Sequence, residues 1–175
     1  PGGMQLTCAT LGAFTKYPAE SKLDNPPEGV VAKKFNFFQD DKELFTEVAE
    51  TTGMKRYPSG NYCWVRHPLS FLVEAADDIC YRIVDFEDGC MLKIITYDEL
   101  EECFLAVIDD KEIKARVDGI DSEVRKVEFL RAKALGKLIG EVSEAFVKYE
   151  EQALAGELNC PLLDLIPSKE PLDHI

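Results

Sequence analysis

The chain has 175 residues, 46% of them hydrophobic, and a net charge of −13 with a pI near 4.6. That length suits one domain with a sizeable core. The charge argues against a surface built to bind nucleic acid or anionic membrane, although a small basic pocket stays compatible with it.

No apolar run approaches the ~18–20 residues of a membrane span, and no signal peptide is read. The chain starts Pro1-Gly2-Gly3, as a processed or partial chain would. Cys8, Cys63, Cys80, Cys90, Cys103 and Cys160 show no C-x-x-C spacing. They are read as reduced, buried thiols of a cytoplasmic protein.

In chain order, Gln5 to Thr15 carries Leu6, Ala9, Thr10, Ala13 and Phe14 at helical spacing and stops before Pro18. Residues 18 to 32 are rich in Pro and read as a loop. Val30 to Phe38 is aromatic and basic, suiting a short strand or an extended loop. Asp40 with Glu43 resembles a capping arrangement for a helix that buries Leu44, Phe45, Val48 and Ala49 and ends at Gly53. A polar loop from Thr51 to Tyr62 follows.

Arg66 to Gly89 reads as one deeply buried helix. Pro68 suits its first turn and Gly89 its stop. Leu72, Ala76, Ile79, Ile83 and Phe86 share one face, widened by Val73, Cys80 and Val84. Asp77, Tyr81 and Asp85 recur at four-residue steps along one line. Asp77 is expected at the border of the apolar face, partly desolvated, and Asp78 on the polar side. Spacing alone favours the plainer arrangement, an Asp78–Arg82 surface pair with solvated Asp77 and Asp85.

Thr96-x-x-Glu99 is a capping box opening another helix. Asp109 to Gly119 is charged and reads as exposed. Asp121 or Ser122 caps a long helix to about Leu154, with Gly136 and Gly140 placed to let a neighbouring helix approach. Gly156 ends it, before a tail with Pro161, Pro167 and Pro171. Strand alternation is almost absent, so the fold class is all-α: residues 1–175 form a single helical region, a bundle.

The run Arg66-His67-Pro68-Leu69-Ser70-Phe71-Leu72-Val73-Glu74-Ala75-Ala76-Asp77-Asp78-Ile79-Cys80-Tyr81, continued by Asp85-Phe86-Glu87-Asp88, resembles the bacterial deoxyguanosine triphosphate triphosphohydrolases of the HD-domain superfamily. Met4 to Pro18, ending Lys16-Tyr17-Pro18, and Phe129-Leu130-Arg131-Ala132-Lys133-Ala134 with Leu154-Ala155-Gly156-Glu157 fit the same family. The resemblance implies a partial HD-domain-like bundle that hydrolyses dGTP to deoxyguanosine and triphosphate with a divalent metal, Mg²⁺ or Mn²⁺.

By the same resemblance Asp77 is the last of four metal ligands, after a His and a His-Asp pair. Tyr81 packs on the deoxyribose and Asp85 accepts the 3′-hydroxyl. Lys16, Tyr17 and Lys34 approach the triphosphate. The chain departs from the family in having only His67 and His174 and no His-Asp dipeptide. It therefore resembles the middle of a longer enzyme, inactive alone. A homo-oligomer is implied for the whole enzyme. The runner-up functions are a broad dNTP triphosphohydrolase and a non-catalytic helical regulatory or interaction module.

Overall fold

The computed structural model describes residues 4–25, 27, 33–58 and 62–175. These residues are mostly helical, with no β-strand among them; three isolated bridges pair Ala19 with Cys63, Glu20 with Phe37 and Arg56 with Trp64. The all-α class read from the sequence is the one found. No described helix is long and apolar enough to cross a membrane. The six cysteines are free thiols.

Contacts divide the chain into two compact units. The first takes Pro1–Glu74 and Lys148–Pro161, the second Ala75–Val147 and Leu162–Ile175.

In the first unit, α1 (Cys8–Phe14) starts where the Thr7 hydroxyl accepts the Thr10 N–H, three residues later than the apolar spacing predicts. A polar cap with its own hydrogen bond fixes the start more firmly than periodicity does. A 3-10 turn (Gln39–Asp41) leads into α2 (Lys42–Thr51). The capping arrangement expected at Asp40 and Glu43 does not form: Asp41 holds the cap position and its side chain caps nothing. Gly53, in the left-handed region at φ 71°, ends α2 as predicted.

Helix α1 packs on α2. Phe37, Phe45, Val48, Ala49 and Trp64 form the core, with Cys8, Leu11, Met54 and Tyr62 around it. The rings of Phe37 and Phe45 stack at 4.5 Å, and Trp64 meets Phe45 edge-on at 5.4 Å. Residues 33–38 are an extended loop, tied at Phe37 by a single bridge; residues 30–32 of the stretch read as strand or loop lie outside the described residues. The loops cross-link through backbone bonds from Trp64 N to Pro18 O (2.9 Å) and from Val65 N to Lys55 O (2.7 Å). Cys63 is fully buried here, beside Ala19.

Helix α3 (Ser70–Met91) begins two residues after Pro68 and passes through Gly89. It stops at Lys93, which takes the left-handed conformation at φ 60°. The Ile94 N–H bonds Gly89 O and the Lys93 N–H bonds Cys90 O, the paired bonds of a Schellman ending. A lysine thus fills the position the sequence assigned to a glycine.

The buried stripe of α3 is also turned from the predicted one. Phe71, Ala75, Ile79 and Ile83 are buried, while Ala76, Cys80 and Val84 are exposed. Asp77 is exposed and Asp78 half-buried, the reverse of the expectation. The turn is possible because charged residues on the inner side find partners within the second unit. Arg82 bonds the Leu172 carbonyl (2.8 Å) and Asp173 (3.0 Å), and Arg131 grips both oxygens of Glu87 (3.0 and 2.8 Å).

In the second unit the Thr96–Glu99 capping box is present and opens α4 (Tyr97–Ile108), burying Leu100, Phe104 and Val107. The stretch read as exposed, Asp109 to Gly119, folds instead as α5 (Lys111–Asp118), capped by Asp110 and burying Ile113 and Val117. Two apolar residues one turn apart suffice once neighbours supply the rest of a core.

Helix α6 (Glu123–Lys148) breaks at Tyr149, and α7 (Glu150–Ala155) continues to a left-handed Gly156. Gly136 and Gly140 face open space: a methyl group added at either would meet nothing within 4 Å, so they do not serve a close helix approach. In the tail, a 3-10 turn (Leu162–Leu165) and α8 (Lys169–Leu172) bury Leu162, Leu163 and Leu172. Buried Glu141 holds this tail by accepting the Ser168 N–H (3.0 Å) and hydroxyl (2.9 Å).

Candidate functional site

Helix α1 ends at Thr15 in extended backbone, which carries Lys16 and Tyr17 out of the helix. Asn36 secures the facing loop: its Oδ1 accepts the Tyr17 N–H at 2.6 Å, and its own N–H bonds Ala19 O at 3.2 Å. The amines of Lys16 and Lys34 both come to lie 5.8 Å from the centre of the Tyr17 ring. The three residues predicted around a triphosphate thus form one cluster in the first unit. Asn36, which makes the cluster possible, carries no motif that would announce it.

Behind Lys16 lies a buried ion network. Glu74 Oε1 is 3.0 Å from the Lys16 amine, and Glu74 Oε2 accepts from Arg66. The Glu74 and Arg66 side chains are 3% and 5% exposed, that of Lys16 33%. The guanidinium of Arg66 also stacks on Phe71, 4.2 Å from its ring centre. Arg66 Nε and the Ser70 hydroxyl are buried without a hydrogen-bond partner among the described residues.

His67 packs its ring against Gly12, and its Nδ1 accepts the Leu69 N–H at 3.2 Å. Burial lowers its pKa below the ordinary imidazole value.

Asp77, Tyr81 and Asp85 belong to the second unit, and all three are exposed on α3. Tyr81 is 72% exposed. Tyr81 and Asp85 line one cleft of about 380 Å³ together with Arg82, Phe86, Ile94 and Ile95. The isoleucine wall follows from the Lys93 ending, which folds residues 94 and 95 back beside the helix. Helical periodicity stops short of them, so they were not legible as part of a site.

The exposed Asp77 carboxylate suits a hard cation as a single ligand. Among the described residues no group of three or more His, Cys, Asp or Glu is placed to hold a metal ion. The described residues do not complete a divalent-cation site by themselves.

No family model matches the chain. Over 172 residues it is 42% identical to a deoxyguanosinetriphosphate triphosphohydrolase-like protein of Synechocystis, a match covering 94% of this chain and 38% of the relative. Over that span the chain is similar to the deoxyguanosinetriphosphate triphosphohydrolase-like proteins. A family member of Pseudomonas aeruginosa is 36% identical over 165 residues, 93% of this chain and 37% of the relative. A deoxyguanosinetriphosphate triphosphohydrolase of Yersinia pestis is 26% identical over 179 residues, 92% and 34%. The chain therefore spans little more than a third of the length of the curated relatives it matches. Within that span lie all six residues that the sequence marked: Lys16, Tyr17, Lys34, Asp77, Tyr81 and Asp85.

Proposed function

We propose that the chain is the triphosphate- and sugar-holding part of an HD-type hydrolase that converts dGTP to deoxyguanosine and inorganic triphosphate. The observation that carries this reading is the pair of lysine amines, each 5.8 Å from the Tyr17 ring, in a chain whose net charge is −13. Two cations converging where the remaining surface repels anions make a local trap for a polyphosphate. The names of the relatives point to the nucleotide.

In this reading Lys16 and Lys34 hold the triphosphate and offset charge that grows on the phosphoryl oxygens as water adds at the α-phosphorus. Tyr81 lies against the deoxyribose and leaves no room for a 2′-hydroxyl. Asp85 accepts the 3′-hydroxyl, and a site built around that bond discriminates against a sugar that lacks it. Their place in one cleft supports that pairing. Asp77 takes one ligand position for Mg²⁺ or Mn²⁺. The cleft walls formed by Tyr81, Phe86, Ile94 and Ile95 are apolar, which suits deoxynucleoside triphosphates as a class with dGTP among them.

Calorimetric titration of the chain with dGTP, GTP and 2′,3′-dideoxy-GTP tests the reading. dGTP should bind about tenfold more tightly than either analogue, and Asp85→Ala should erase its advantage over the dideoxy form alone. GTP binding as tightly as dGTP would overturn the sugar assignment. With Mn²⁺ or Mg²⁺ the chain by itself should release no triphosphate from dGTP. A homo-oligomer of the whole protein is part of the proposal, and sedimentation showing only monomer would remove it.

That Asp77 belongs to no group of three or more candidate ligands among the described residues favours a second reading, a non-catalytic helical module. A chain that binds neither nucleotide nor triphosphate would support that alternative.

A further inference from the structure

We propose that Glu74, anchored from its buried side by Arg66, is the positioning residue for Lys16 in polyphosphate binding. This rests on the reading above that Lys16 contacts the triphosphate.

A carboxylate as buried as Glu74 is retained only if its charge is matched. Its two oxygens are divided between two cations of different kinds. Oε2 faces Arg66, which is itself buried and stacked on Phe71. Oε1 faces Lys16, a third exposed, at 3.0 Å. The Arg66 side of the pair is rigid, so the carboxylate has a fixed position, and it transmits that position to the amine at the surface.

A lysine side chain loses much of its rotamer freedom when a bound anion has to order it. Glu74 removes that cost beforehand, because the amine is already held beside the Tyr17 ring and level with Lys34. The residue sits at the start of α3, three positions before Asp77. The same helix therefore orients the phosphate-binding lysine and carries the proposed metal ligand.

Two roles for Glu74 predict opposite signs. If it is only a neighbouring negative charge, neutralising it strengthens anion binding. If it positions Lys16, neutralising it weakens binding although a repulsive charge has gone. The probe is inorganic triphosphate, titrated calorimetrically against the 175-residue chain without metal.

Glu74→Gln should weaken binding roughly tenfold, Lys16→Ala should do the same, and the double variant should be no weaker than Lys16→Ala alone. Binding by Glu74→Gln that equals or exceeds the original, with Lys16→Ala still weak, overturns the inference and leaves the triphosphate reading intact. An unaltered Lys16→Ala, or no triphosphate binding by the original chain, overturns both.

Glu74→Gln leaves Arg66 half-matched and could unfold the unit. The paired replacement Arg66→Met/Glu74→Leu removes both buried charges at similar volume and keeps the core satisfied. It should show the same roughly tenfold loss, and full affinity in that variant would equally overturn the inference.

Discussion

Gly156 has φ 77°, and a methyl group built on it would stand 2.5 Å from Val65 Cγ1. Gly53 has a similar φ of 71° but nothing within 4 Å. The two separate backbone strain from overpacking. Gly53→Ala should cost about 1 kcal/mol, the left-handed penalty alone. Gly156→Ala should cost about 2–4 kcal/mol, because Val65 must also move. Urea denaturation of the two variants measures the difference, and equal losses would mean that the Val65 contact relaxes freely.

His67 belongs to this scale too. Burial holds its folded pKa below the unfolded value, so between the two the unfolded chain binds more protons. Its contribution to stability is complete above about pH 6.5 and is lost as pH falls through the folded value. The chain should unfold more easily at about pH 5.5 than at 7.5, and His67→Gln should flatten that slope. The functional roles of Lys16, Tyr17, Lys34, Tyr81 and Asp85 came from the family resemblance, whereas spacing by itself placed Asp77, Tyr81 and Asp85 along one line of α3, where they lie. The burial of Asp77 and Asp78 was not legible, since it depends on which side of α3 the tail supplies with partners for Arg82.

At the scale of elements, hydrogen-bonded caps were the most legible signals and charged segments the least. Thr96 accepts the Glu99 N–H at 3.3 Å while Glu99 accepts the Thr96 N–H at 2.7 Å, so both halves of the T-x-x-E box are made. Asp40 with Glu43 looked similar on paper, but Asp40 is taken into a 3-10 turn and Asp41 holds the cap position without a side-chain bond. Thr96→Ala should cost about 1 kcal/mol, and Asp41→Ala should stay within about 0.5 kcal/mol. At the other end of α3, Lys93→Gly should gain roughly 0.5–1 kcal/mol by relieving a left-handed lysine. Thermal melts followed by circular dichroism read all three, and a destabilised Lys93→Gly would show that the lysine side chain supports the turn. Helix α5 escaped detection because its three apolar residues, Ile113, Ala115 and Val117, alternate among five charged ones and draw no helical stripe. Its burial comes from the rest of the second unit.

For the whole molecule, periodicity set the class and composition the sign of the surface field, but neither marked the division into two units. That division depends on which helices the Leu162–Ile175 tail joins, and the tail's apolar run, which also suits a surface between subunits, is spent inside the second unit. Glu141 shows the same limit. It reads as one more charge on a long helix, yet it is buried and ties that helix to Ser168.

The buried thiol of Cys63 makes the first unit a natural stopwatch. Desolvation pushes that thiol up to about 11, so at about pH 8 only around one molecule in a thousand carries the reactive thiolate, and the closed fold shields even that. Cys80, on the outer face of α3, meets solvent directly. In one tube, an alkylating reagent should mark Cys80 within its mixing time and Cys63 only as often as the loops around Ala19 and Trp64 come apart. Peptide mass spectrometry over a time course would then read the opening rate of that unit without any label being engineered. Equal rates at the two cysteines would mean that those loops part far more often than their backbone bonds imply.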